Sequence, residues 1–158
     1  MFRELVRIKN KLPQEECIEL LQTQLRGILS VLGDEGYPYG MPMNHFYNEE
    51  DGCLYFHSGM AGHKVDAIRA CDKASFCVYD EGFRKDGDWA LTIRSVIVFG
   101  RIEIVADYDT MLELSRKLSY KFTDDTDYIE KELAQSGPRT LMFRLRPEHI
   151  CGKRVHEA

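Results

Sequence analysis

The sequence predicts a mainly β chain with inserted helices (α+β), folded as an antiparallel barrel of six or seven strands that is closed or split along a seam. Three observations lead there. Short runs rich in β-branched and aromatic residues recur along the chain. The early runs are joined by tight-turn signals, Gly33-Asp34-Glu35-Gly36 and Asn48-Glu49-Glu50-Asp51-Gly52. Strands and helices do not alternate strictly, which argues against a doubly wound parallel sheet.

Each element has its own signal. Pro13 followed by Glu15 and Glu16 opens a helix, because proline fits the first turn and acids suit the dipole. Ile18, Leu21 and Leu25 give it a core-facing stripe, and Gly27 is expected to end it. Ile28 to Leu32 reads as a buried strand and Tyr39 to Tyr47 as an extended run, with Pro42 marking an edge or bulge. Cys53 to Ser58 is the third strand, and the loop lengths predict an antiparallel meander of all three. A helix over 61–71, with Ala61, Val65 and Ile68 on one face, precedes a strand at Ala74 to Asp80. Leu91 to Val105 is long for one strand, and Gly100 marks a bend within it. Asp107 is placed to cap a helix whose apolar face is Met111, Leu114 and Leu118. A further helix at 125–135 stops at Ser136-Gly137-Pro138. Thr140 to Arg146 alternates as a strand that Pro147 ends, leaving a basic tail (Lys153, Arg154, His156) in solvent.

Composition bounds the function. A chain of 158 residues is read as one domain, 1–158, and buries roughly 68–70% of its unfolded surface. Twenty-one basic against twenty-six acidic residues leave a net charge of −5, which disfavours nonspecific nucleic-acid binding. No apolar run approaches the ~20 residues of a membrane span, and the opening Met-Phe-Arg-Glu-Leu-Val-Arg lacks the apolar segment of a signal peptide. The five cysteines form no Cys-x-x-Cys pair. Reduced thiols in a cytoplasmic protein, with no metal site, are therefore expected.

One stretch organises the chemistry: Leu54-Tyr55-Phe56-His57-Ser58-Gly59-Met60-Ala61-Gly62-His63-Lys64. It reads as a strand end, a glycine-marked turn and a helix start. Free N–H groups, the Ser58 hydroxyl and an early Lys64 suit a phosphate, although an ordinary strand-to-helix turn with a solvated lysine has the same pattern.

Four stretches stand in order: Tyr37-Pro38-Tyr39-Gly40-Met41-Pro42-Met43-Asn44, Leu54 to Gly59, Gly62-His63-Lys64-Val65-Asp66-Ala67, and Arg94-Ser95-Val96-Ile97-Val98-Phe99-Gly100. Together they resemble the pyridoxamine 5′-phosphate oxidase-like superfamily, and within it the Nim-type 5-nitroimidazole resistance proteins. The resemblance implies an FMN-binding split barrel that dimerises with FMN at the subunit interface. It places Ser58, Gly62, His63 and Lys64 at the FMN phosphate, Ser95 and Val96 on the strand lining phosphate and isoalloxazine, and Met43, Asn44 and His45 along the flavin ring. Asn44 and His45 fall on opposite strand faces, so one of them contacts by backbone. His57 matches a histidine near the cofactor; it is either a hydrogen-bonded structural residue or a proton donor, and His63 is the alternative. Trp89 either covers the flavin or binds a substrate ring, or it packs at the dimer interface or barrel rim. The fuller arginine-rich phosphate set of true pyridoxamine phosphate oxidases is not evident.

The implied function is an FMN-dependent oxidoreductase that takes hydride from NAD(P)H and reduces a small nitroaromatic or related acceptor. The alternative is a flavin- or haem-binding carrier or sequestering protein without efficient turnover.

Overall fold

The computed structural model describes residues 1–157. Seven strands form one antiparallel sheet in the order β2-β1-β5-β6-β7-β4-β3. They are β1 (Arg26–Leu32), β2 (Pro38–Asn44), β3 (Phe46–Asn48), β4 (Cys53–Ser58), β5 (Lys73–Tyr79), β6 (Leu91–Ile104) and β7 (Leu141–Glu157). The helices are α1 (Gln14–Thr23), α2 (His63–Ala70), α3 (Tyr108–Tyr120) and α4 (Thr126–Ser136).

The barrel follows from one connection. β2 and β3 lie at opposite ends of the strand order, yet a single residue, His45, joins them. One residue spans only about 3.5 Å, so the two edges must lie side by side and the sheet must curl onto itself. No ladder bonds β2 to β3 or β4, and the barrel is split there. The expected meander of three strands is thus corrected. The Cys53–Ser58 strand pairs with β3 and β7, and β2 pairs only with β1. Pro42 sits on edge strand β2, where a missing N–H costs nothing.

Alternation along the strands sorts the core into two layers. Leu29, Val31, Met41, Met43, Leu54, Phe56, Phe76, Val78, Val96, Val98, Phe143 and Leu145 fill the barrel. Leu20 and Leu21 of α1 and Val65 and Ile68 of α2 join them. On the opposite face of β4 and β7, Cys53, Tyr55 and Met142 pack against Met111 and Leu114 of α3. Asp107 caps α3 by accepting from the Thr110 N–H, and Asp125 caps α4 through the Tyr128 N–H.

Several boundaries differ from expectation. Gly27 does not end α1; it lies inside β1, where an added Cβ would overlap the Phe76 ring and the Cys77 carbonyl. Its glycine serves close strand packing. Leu25 falls outside α1 and is exposed, and Cys17, Leu20 and Leu21 form the buried face instead. Ala61 precedes α2 and is exposed. Pro147 does not end the last strand. It stands opposite Gly100 at a register shift, and β7 then continues beside β6 through the expected tail. At Gly100 a Cβ would run into the Arg146 carbonyl. All five cysteines are free thiols, with Cys17 and Cys53 buried. Among the described residues no helix is long and apolar enough to cross a membrane.

Gly100→Ala should destabilise the fold by about 1–3 kcal/mol, the usual range for overpacking. Gly59→Ala, whose Cβ meets nothing within 4 Å, should leave the urea midpoint unchanged. Parallel urea denaturation of the two variants checks both.

Candidate functional site

The split in the barrel is where the chemistry-bearing residues meet. Met43 and Asn44 end β2, His57 and Ser58 end β4, and Lys64 occupies the first turn of α2. All five line one cleft of about 540 Å³, together with Arg26, Pro42, Gly59, Arg139 and Thr140. Gly62, with φ +123°, caps the start of α2 beside the cleft, and no other residue adopts that backbone without strain. Its position also has nothing within 4 Å of an added Cβ, so the approach to the helix start is open.

Three cations converge on the cleft. Arg26 faces Asn44 in the β1–β2 register and donates from Nε to Asn44 Oδ1 at 2.8 Å. Lys64 Nζ lies 3.9 Å from Met43 Sδ, a weak acceptor. Arg139 reaches only the Gln135 carbonyl, at 3.5 Å. Among the described residues none of the three has a carboxylate partner. By contrast Arg94, Arg101, Arg116, Arg144, Arg146 and Arg154 all form ion pairs. The cleft therefore presents uncompensated positive charge beside the Ser58 and Thr140 hydroxyls. Desolvation, and after it the Lys64 charge, lower the pKa of His57 from its ordinary value.

The structure does not bring His45, His63, Ser95 and Val96 into this cleft. His45 is fully buried against Phe76, with its Nε2 2.7 Å from the Leu21 carbonyl. Lys121 Nζ donates to the His45 carbonyl at 3.0 Å and also bonds the Gln24 carbonyl. Burial, with Lys121 as the second cause, pushes the His45 pKa down to about 3, and burial brings Lys121 to about 8. His63 stacks on Tyr39 at 4.1 Å and accepts from the Asp34 N–H. Val96 is in the barrel core. Ser95 lies on β6, three strands from β2 and two from β4. Trp89 is exposed and outside the cleft.

Arg26, Arg139 and Thr140 were not singled out from the sequence. Arg26 stood beside an expected helix end, and Arg139 and Thr140 after a Gly-Pro break. A cation flanking a strand start or a helix stop is too common to select by itself.

A family model of pyridoxamine 5′-phosphate oxidase matches residues 13–154. The chain belongs to this family. No curated protein matches the chain significantly. Among solved structures, this family member is similar to a candidate 5-nitroimidazole antibiotic resistance protein of Bacteroides thetaiotaomicron, with TM-score 0.78 and 16% identity over 93% of this chain and 87% of that one. It is similar to the conserved hypothetical protein Rv2991 of Mycobacterium tuberculosis, with TM-score 0.80 and 17% identity over 95% and 90% of the two chains. A FAD-binding protein of Mesorhizobium loti matches with TM-score 0.63 and 26% identity over 91% and 94%.

The buried His45 makes a pH prediction. The unfolded chain takes up a proton as pH falls through 6.5, whereas the folded chain resists until about 3. Stability is therefore lost on acidification across that window, at up to about 1.4 kcal/mol per pH unit from this group. His45→Gln should flatten the acid limb when urea midpoints are compared from neutral pH down to the edge of acid unfolding.

Proposed function

We propose that this chain is an FMN-dependent oxidoreductase that reduces a small nitroaromatic or related acceptor with NAD(P)H as donor. The observation that supports it best is the cleft, where three cations without carboxylate partners and two hydroxyls converge beside the open start of α2. That donor set fits a phosphomonoester, whose charge is about −1.5 to −2 near neutral pH. The FAD-binding neighbour is in keeping with a flavin ligand.

When bound, the flavin supplies the transfer of hydride and electrons between donor and acceptor. The chain's own residues then have distinct tasks. Arg26, Lys64 and Arg139 would hold the phosphate, and the Ser58 and Thr140 hydroxyls, which donate to the Gly59 and Ser136 carbonyls, would turn toward it. Arg26 occupies Asn44 Oδ1, which leaves the Asn44 amide N–H groups to donate to a carbonyl at the edge of the ring. His57, whose pKa is lowered by desolvation and by the Lys64 charge, would take up a proton from solvent and pass it to the reduced acceptor. Two arginines reach the cleft, yet they do not establish pyridoxamine phosphate as the substrate.

A homodimer belongs to the same reading. The cleft opens across Arg26 and Pro42 into a groove of about 1630 Å³ along the outer face of the sheet. On that face Ile28, Cys77, Ile97 and Cys151 stand in one row across four strands. Ile28 and Ile97 are exposed, and a second copy would cover them. Ser95, remote from its own cleft, would then serve the cofactor of the partner.

The visible spectrum of the purified protein, with the released chromophore identified by mass, tests the cofactor. FMN at close to one per chain is expected. A Soret-dominated spectrum, or a colourless protein that takes up no added FMN, would sink the proposal. Lys64→Ala and Arg139→Ala should each weaken FMN binding by about 10- to 100-fold, the worth of one charge-assisted hydrogen bond. Ile97→Glu should convert the dimer to monomer in sedimentation experiments.

A further inference from the structure

His57 has two neighbourhoods. It borders the cationic cleft, and it also borders a separate hollow of about 220 Å³ between α3, α4 and the end of β4. Strand alternation puts it there: Leu54 and Phe56 point into the barrel, while Cys53, Tyr55 and His57 share the face toward the helices. Thr140 likewise lines both spaces. A molecule filling the hollow therefore abuts the residues that wall the cleft.

The lining of the hollow differs in character from the cleft. Its charged group is Glu132, which among the described residues accepts one hydrogen bond, from the Ser136 hydroxyl at 3.4 Å. Two residues earlier, Glu130 is held by Arg116 of α3, whereas Glu132 is exposed and has no cation partner among the described residues. Ser115 interrupts the apolar stripe of α3 formed by Met111, Leu114 and Leu118. Its buried hydroxyl meets only the Met111 sulfur, at 3.4 Å. A thioether is a weak acceptor, and burying a poorly partnered hydroxyl costs free energy that an alanine would avoid. Leu133 and Ile129 supply an apolar wall. An apolar hollow with a few converging polar groups resembles a small-molecule site, and at about 220 Å³ it is smaller than the roughly 300–1,000 Å³ of drug-sized sites. At this volume it suits one compact ring and not a dinucleotide.

We propose that this hollow is a second small-molecule subsite, which takes a compact heteroaromatic ring carrying a neutral or positively charged substituent and disfavours carboxylates. Glu132 sets the charge preference, the Ser115 hydroxyl supplies a hydrogen bond, and His57 meets the ring on the side of the cleft. The identification of this occupant with the electron acceptor rests on the flavin reading; the charge preference does not.

The test is calorimetric titration of the purified holoprotein with a nitroimidazole bearing an aminoethyl group and with its carboxymethyl counterpart. The aminoethyl compound should bind about three- to fivefold tighter, the worth of an exposed ion pair. Glu132→Gln should bring the two affinities to within about twofold, with flavin content, read from the visible spectrum, unchanged. Ser115→Ala should weaken both compounds several-fold without altering their ratio. Equal binding of the two compounds, or a preference that survives Glu132→Gln, overturns the proposal. The same titration on protein stripped of flavin separates the two readings. A charge preference persisting there supports the hollow even if the flavin assay fails, and its absence there counts against the hollow even if the flavin assay succeeds.

Discussion

One buried imidazole holds the geometry on which the site depends. His45 is the whole connection between the two edges of the sheet, and its ring is anchored to the Leu21 carbonyl in the barrel core. Its own carbonyl and that of Gln24 are bound by Lys121 at the end of α3. A single position thus ties α1, α3, β2 and β3 together. Burial keeps His45 neutral, which suits a ring whose nearest cation is an ammonium and which has no acid beside it. Because Asn44 directly precedes it, the anchor also sets where the end of β2 stands relative to His57 and Ser58.

The electrostatics of the cleft follow from what that closure leaves uncompensated. A net acidic chain has ample carboxylates to neutralise its arginines. Half of the arginines are so paired: Glu103, for example, holds Arg144 and Arg146, and Asp80 with Glu19 holds Arg94. Arg26, Lys64 and Arg139 come from three distant parts of the chain and meet at the seam without acids. Grouping like charges without compensation costs stability, and an anionic ligand offsets that cost. The seam thereby gathers positive charge although the chain as a whole is net acidic.

The alternation of β4 divides labour between its two faces. Leu54 and Phe56 stabilise the barrel, while Tyr55 and His57 address the helical layer. His57 consequently stands between a positive cleft and a hollow that carries the Glu132 carboxylate. The two spaces differ in the charge of the molecules they favour, and one imidazole borders both.

The local elements were legible in the sequence because their causes are local. The Asp107 cap, the Met111-Leu114-Leu118 stripe, the inward alternation of Phe76 and Val78 and the bulge at Gly100 each depend on residues a few positions apart. The meeting of Ser58 and Lys64 at one cleft was legible for the same reason, since strand end, glycine turn and helix start are contiguous. The tertiary structure alone decided which strands pair, and with that the opposite-edge placement of β2 and β3, the burial of His45 and the passage of β7 through Pro147. It alone brought Arg26 and Arg139 beside Lys64 and left Ser95 on a distant strand. Periodicity in a sequence records which side of an element is buried. Against which other element it is buried is settled by long-range pairing, whose energy is shared among residues far apart in the chain.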